Sequence, residues 1–231
     1  MKRFWKQAAV SEGNGGWGVK LDGKPLRTPG REPLIVPNLA LAEAIADEWN
    51  TAEETVDPKA MSLTGLVNAA IDRVAPDKEQ CAAGLARYGE SDLACYRADT
   101  PRALQERQEE SWDKLLAWGR RHFDVDFVTT CGVTHVRQPE ATIQRLAHAV
   151  ATLDPFRLAG LSPLVTIGGS LIAALAVLEG AIGAQEAWDA VTIDDRWQLK
   201  HWGSDAEAET MLDARRRDFM AGAKFLELLE P

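Results

Sequence analysis

Two adjacent carboxylates, Asp194 and Asp195, sit late in the 231-residue chain among Trp188, Trp197 and Trp202, with His201 close behind. Read at helical spacing, residues 185–203 bring Trp188, Val191, Asp195, Leu199 and Trp202 near one face, with Asp194, Trp197 and His201 beside it. Three kinds of chemistry fit this group. The carboxylates could be solvated and balanced by Arg196 or Lys200, as exposed helix charges usually are. They could form an acidic and aromatic patch that takes an arginine from another protein, since carboxylates receive guanidinium groups in two-pronged bonds and Trp buries a large area at small entropic cost. Or Asp194 or Asp195 could work with His201 as acid and base in an acidic cleft between domains, the arrangement of a small-molecule enzyme. The protein-binding alternative marks Asp194, Asp195, Trp197 and Trp202 as the contact residues.

Other reactive groupings are weaker. The run Gly13-Asn14-Gly15-Gly16-Trp17-Gly18 resembles a phosphate-cradling loop, but no helical pattern follows it and the chain has no Gly-Lys-Ser/Thr triplet. The four histidines, His122, His135, His148 and His201, are far apart, and only His122 with Asp126 approaches the spacing that holds zinc on one helical face. Ser170 follows two glycines inside an apolar stretch, which is no strand-to-helix elbow for a nucleophile. Cys81, Cys95 and Cys131 are odd in number and widely spaced, so neither a disulfide framework nor a zinc knuckle is expected. These readings together predict a protein without catalytic, metal or cofactor sites. A net charge of −9, with Arg215-Arg216-Arg217 as the longest basic run, argues against nucleic acid.

The elements that would carry such a surface follow from the spacing of apolar and turn residues. Gly13-Asn14-Gly15-Gly16 and Asp22-Gly23 tolerate positive φ, and the alternation in residues 17–21 followed by 24–28 predicts a hairpin. Pro33 and Pro37 bracket a further short strand suited to a sheet edge. From Asn38 the period becomes helical: Leu41, Ala42, Ile45, Ala46 and Trp49 share a face, and Leu63, Leu66, Val67, Ala70, Ile71 and Val74 repeat the pattern. Helix starts are expected at Thr100-Pro101, Gln138-Pro139, Asp154-Pro155, Ser162-Pro163 and the capping box from Ser204 to Glu207. Residues 125–136 alone read as extended. Residues 161–178 carry no charge, but their glycines, serines and Pro163 favour a buried central helix over a membrane span, leaving lipid-surface contact as a third alternative. The expected fold class is α+β: a small amino-terminal antiparallel β-sheet domain with covering helices over residues 1–76, then an all-α domain over residues 77–231.

Several strings, in this order and spacing, resemble the assembly chaperones of the F-type ATP synthase head, specifically the factor that binds the α subunit. They are LDGKPLRTP (21–29), VPNLALAEAIADEW (36–49), MSLTGLVNAAID (61–72), CYR (95–97) and QLKHWG (198–203). The resemblance implies an ATP-independent holdase that shields the unassembled α subunit until its β partner arrives. No cofactor and no membrane insertion are expected, and a monomer is the expectation for an oligomeric state that the sequence leaves open. The resemblance also implies that the family's acidic position before the Trp-Gly pair falls on Asp194, where relatives often have the longer glutamate. Trp49, in the Glu48-Trp49 pair, also matches a family position, and its place on the apolar helix face predicts a structural role. Eukaryotic relatives act in the mitochondrial matrix and carry an import presequence. The amino-terminal sequence MKRFWKQAAV lacks one and lacks the apolar core of a secretory signal, so a bacterial cytoplasmic protein is expected.

Overall fold

A computed structural model of the chain describes residues 2–13, 15–202 and 206–230. Its contacts gather into two compact units, one formed by Met1–Lys78, Asp154–Gly160 and Lys224–Pro231, the other by Glu79–Leu153 and Leu161–Ala223.

In the first unit, strands β1 (Ala8–Gly13) and β2 (Gly16–Leu21) pair antiparallel, with Ala8 opposite Leu21. Asp22 and Gly23 both take positive φ, 47° and 83°, and turn the chain into β3 (Lys24–Pro25). Both β3 and β4 (Ile35–Val36) pair with β2, so the proline-flanked segment joins the sheet as a two-residue strand. Helix α1 (Leu39–Thr51) begins at Asn38, whose Oδ1 accepts the Leu41 amide at 2.9 Å, and its Leu41, Ala42, Ile45, Ala46 and Trp49 are all buried.

Glu48 and Trp49, at the end of α1, together hold the start of α2 (Ser62–Ala69). The two Glu48 carboxylate oxygens accept the Leu63 amide at 2.7 Å and the Thr64 amide and hydroxyl at 2.8 Å, while Trp49 Nε1 donates to the same hydroxyl at 3.1 Å. Trp5 closes the cluster from above, its ring 4.7 Å from that of Trp49 and its Nε1 bonded to the Trp49 carbonyl at 3.0 Å. Replacing Glu48 strands two helix-start amides, so Glu48→Ala should lower unfolding free energy by about 2 kcal/mol in a denaturant melt. After Ala69 the helix continues as a π turn, Ala70–Val74. Along the two turns Val67, Ala70 and Val74 are buried, whereas Leu63, Leu66 and Ile71 are half-buried.

The second unit is built on α4 (Arg102–Phe123), whose Leu104, Gln108, Trp112, Leu115, Leu116 and Gly119 form one buried stripe. Around it are α3 (Lys78–Ala86), α5 (Glu140–Thr152), the later part of α6 (Pro155–Gly168), α7 (Leu171–Leu178), α8 (Ala184–Val191), α9 (Ile193–Trp202) and most of α10 (Ala206–Leu229). The unit is largely helical, with one departure from the expected all-α pattern: Tyr96–Arg97 (β5) and Thr130–Cys131 (β6) form a parallel two-stranded ladder. The extended reading of residues 125–136 accounts for β6, whereas β5 had no sequence signal.

Three expectations are corrected. Residues 161–178 are two helices, because Gly169 takes φ 68° and Ser170 caps a new start, its hydroxyl accepting the Ala173 amide at 3.0 Å. Among the described residues no helix is long and apolar enough to cross a membrane. Pro163 lies inside α6 and begins no helix there. The described part of the stretch read as one helical face, residues 185–202, is likewise two helices, broken at Thr192, whose hydroxyl turns back to the Trp188 carbonyl at 2.6 Å. The expected capping box rests on Ser204 and lies outside the described residues.

Candidate functional site

The break at Thr192 sorts the single predicted face into two. Trp188 and Val191, on α8, go into the core, with the Trp188 ring 5.3 Å from that of Phe219. Trp112 of α4 donates to the Ala190 carbonyl at 2.8 Å, which fixes the end of α8 against α4 and with it the start of α9. Asp194 and Asp195, in the first turn of α9, then diverge.

Asp195 is taken internally. It pairs with Arg215 of α10 at 3.2 Å, and the other arm of that guanidinium bonds the Ile167 carbonyl at 3.2 Å. Arg196, one of the partners expected for the carboxylates, pairs with Asp189 instead. Asp194 is half-buried, and its Oδ1 accepts Gln108 Nε2 at 2.6 Å. Gln108 is buried and its own Oε1 accepts the Ala98 amide at 2.7 Å, so the amide group is oriented and delivers its donor to Asp194. The second Asp194 oxygen has no protein partner among the described residues.

Burial holds the Asp194 carboxyl above the ordinary aspartate range, opposed by the Gln108 bond and assisted by the nearby charge of Asp195. A carboxyl whose folded pKa is raised contributes stability below its unfolded pKa and loses it as pH rises through the folded value. At neutral pH the ionised group is therefore a net cost to the fold. Asp194→Asn, which keeps an acceptor for Gln108, should melt no lower than the unaltered protein at pH 7, and the difference should shrink as pH falls toward the aspartate range. A lower melting temperature at pH 7 would count against this assignment.

Asp194 opens into a cavity of about 370 Å³ whose walls include Leu93, Leu104, Asp99, Val133 and Trp197. Trp197 is half-buried, its ring stacked on His201 at 4.0 Å with the Arg107 guanidinium 5.3 Å from its centre. His201 Nδ1 lies 2.9 Å from the Trp197 carbonyl, so this ring is spent on its own helix and not on either aspartate. Trp202 ends α9. Trp49 belongs to the first unit, buried between Trp5 and Thr64.

The sequence reading gave neither Gln108 nor Arg215 a part in this site, Arg215 figuring there only in the basic run. Gln108 carried a signal: a polar residue four positions from both Leu104 and Trp112 on an otherwise apolar stripe must have a buried partner. Arg215 carried none, because its pairing with Asp195 joins two different helices and follows no helical spacing. Among the described residues no group of three His, Cys, Asp or Glu side chains could hold a metal ion. The Ser170 hydroxyl is buried and donates to Asp92 Oδ1 at 2.7 Å, the geometry of a cap. The arrangement around Asp194 can receive a cationic group at an oriented, partly desolvated carboxylate beside aromatic and aliphatic surface.

The sequence profile of the ATP12 chaperone protein family matches residues 2–120. The crystal structure of Atp12 from Paracoccus denitrificans is 43% identical, covers 99% of this chain and 98% of its own, and superposes with a TM-score of 0.94. A structure from Agrobacterium tumefaciens is 38% identical over 99% of this chain and 86% of its own, also with a TM-score of 0.94. The mitochondrial protein atp12 of Schizosaccharomyces pombe is 26% identical over 97% of this chain and 81% of its own length.

Proposed function

From the premise that this chain belongs to the ATP12 chaperone protein family and is an ATP synthase assembly chaperone, we propose that it holds the unassembled α subunit of the synthase head. It shields that subunit from aggregation without ATP and yields it to the β subunit. Asp194 is the anchor, with Trp197 near it on the same helix, Trp202 a further contact residue by its sequence position, and Asp195 supporting the helix through Arg215.

The observation that carries this reading is the state of Asp194: oriented by Gln108, half-buried, raised in pKa by burial, and lining a cavity. A carboxylate held at a cost to the fold is the kind of group a binding surface retains. An unassembled subunit exposes a large apolar interface, which a substitute surface must cover. Release needs no nucleotide, since a permanent interface can outcompete a smaller transient one.

Co-expression tests the assignment. The α subunit should be recovered in the soluble fraction when this protein is present and mostly in the insoluble fraction when it is absent, with the β subunit withheld from both cultures. Equal solubility in the two cultures would refute it.

A further inference from the structure

The cavity that Asp194 lines holds a second carboxylate. Leu93, Pro101, Leu104 and Trp197 give it apolar surface, and Asp99 stands in the same wall as Asp194. Asp99 is exposed and has no hydrogen-bond or ion-pair partner among the described residues. Of the lining residues only Arg97 carries positive charge, and that charge is spent. Arg97 is 5% exposed, pairs with Asp113 at 2.6 Å, donates to the Ala94 carbonyl and lies over the Trp112 ring at 5.1 Å. The cavity therefore presents negative charge on apolar surface with no cation of its own to answer it.

Size and wall chemistry narrow what enters. One turn of a helix with its side chains is about 10–12 Å across and 5.4 Å long, roughly 400–600 Å³. The cavity, at about 370 Å³, is smaller than that and takes a side chain, not a helix. A long cationic side chain places its methylenes on apolar surface and its charge at the carboxylates. Arginine suits the wall better than lysine: its planar head carries five donors for more than one carboxylate, stacks on indole and is more weakly hydrated than an ammonium. The Trp197 ring already receives one guanidinium, that of Arg107 at 5.3 Å, although Arg107 is not among the lining residues and forms no ion pair with either carboxylate.

We propose that the cavity is a socket for one arginine of the client, whose guanidinium meets half-buried Asp194 and exposed Asp99 while its stem lies on Trp197 and Leu104. This rests on the reading that the α subunit is gripped at Asp194, and adds what the client inserts. Asp99 becomes a second binding residue, contributing less than Asp194 because water screens it.

The test is photo-crosslinking in the full-length protein with purified α subunit. A benzophenone side chain is placed at Gln198, exposed and one turn on from Asp194, or separately at Val133, which also lines the cavity. The captured client segment, read by mass spectrometry, should contain an arginine. Changing that arginine to alanine in the client should weaken binding by about thirtyfold or more, the scale of an interface hot spot. Changing it to lysine should weaken binding by about tenfold, one charge-assisted hydrogen bond. Asp99→Asn should weaken binding about threefold with an unchanged melt, and should have no effect on the client's alanine variant. A captured segment without arginine, or an alanine variant that binds as before, would overturn the socket, and the Asp194 reading would still stand if Asp194→Lys weakens binding. A lysine variant that binds as well as arginine would overturn the guanidinium assignment. Crosslinks formed only between two copies of this chain would also overturn the proposal. If the unaltered protein does not bind the α subunit at all, the functional reading and this inference fall together.

Discussion

Asp194→Lys should reduce affinity for the α subunit by about a hundredfold or more, because charge reversal at a partly desolvated contact costs several kcal/mol. The substitution replaces the acceptor of Gln108 by a donor and places an ammonium where the client's cation would go. The fold should tolerate it. Asp194 is half-exposed, its carboxylate is held at a cost, and the lysine stem can reach water. The contrast with its neighbour makes the prediction specific. Asp195 is paired with Arg215, which also holds the Ile167 carbonyl, so Asp195→Lys should lower the melting temperature while acting on binding only through loosening of α9. Titration of labelled α subunit and a thermal melt on both variants separate the two roles. An Asp194→Lys protein that binds like the unaltered one would move the interface elsewhere.

Asp92→Ala should cost about 3–5 kcal/mol of stability, the range for stranding several buried hydrogen-bond donors at once. Asp92 is fully buried, and its two oxygens accept the Ala94 amide at 2.9 Å, the Ser170 hydroxyl at 2.7 Å and the Ile172 amide at 2.9 Å. It therefore seats the 3₁₀ turn before β5 and the start of α7 on one group. Burial pushes its carboxyl pKa up, against the pull of those donors. Deleting the carboxylate leaves all three donors dry, each an unsatisfied buried group worth about 1–3 kcal/mol. Asp92→Asn restores an acceptor but turns its NH2 toward a donor, so it should fall between alanine and aspartate. Guanidinium melts order the three proteins. A loss under about 1 kcal/mol for the alanine variant would mean that water replaces the carboxylate there.

The two predictions touch opposite ends of what the amino-acid sequence could convey. Local periodicity located the amino-terminal hairpin, α1 and its buried face, since Asn38 and the 3.6-residue repeat act within a few residues. It misjudged residues 161–178 and 185–203 for one reason: a left-handed glycine at Gly169 and a back-bonded threonine at Thr192 each end a helix without disturbing the apolar count. The π turn at Ala70–Val74 and strand β5 were silent because tertiary contacts decide them. For the site, the types of Asp194 and Trp197 and their nearness were readable, but the division of labour between Asp194 and Asp195 was not. That division depends on Gln108, 86 residues away, and Arg215, 20 residues away, and pairings over such separations leave no trace in spacing. Asp92 illustrates the same limit, since its partner Ser170 lies 78 residues downstream.

The central claim is that this protein protects the α subunit by binding it, with no nucleotide. Denatured α subunit diluted into buffer should aggregate alone, and an equimolar amount of this protein, with neither ATP nor β subunit present, should suppress the rise in light scattering. Asp194→Lys should leave most of that rise in place. Scattering that climbs as fast with the unaltered protein as without it would contradict the account.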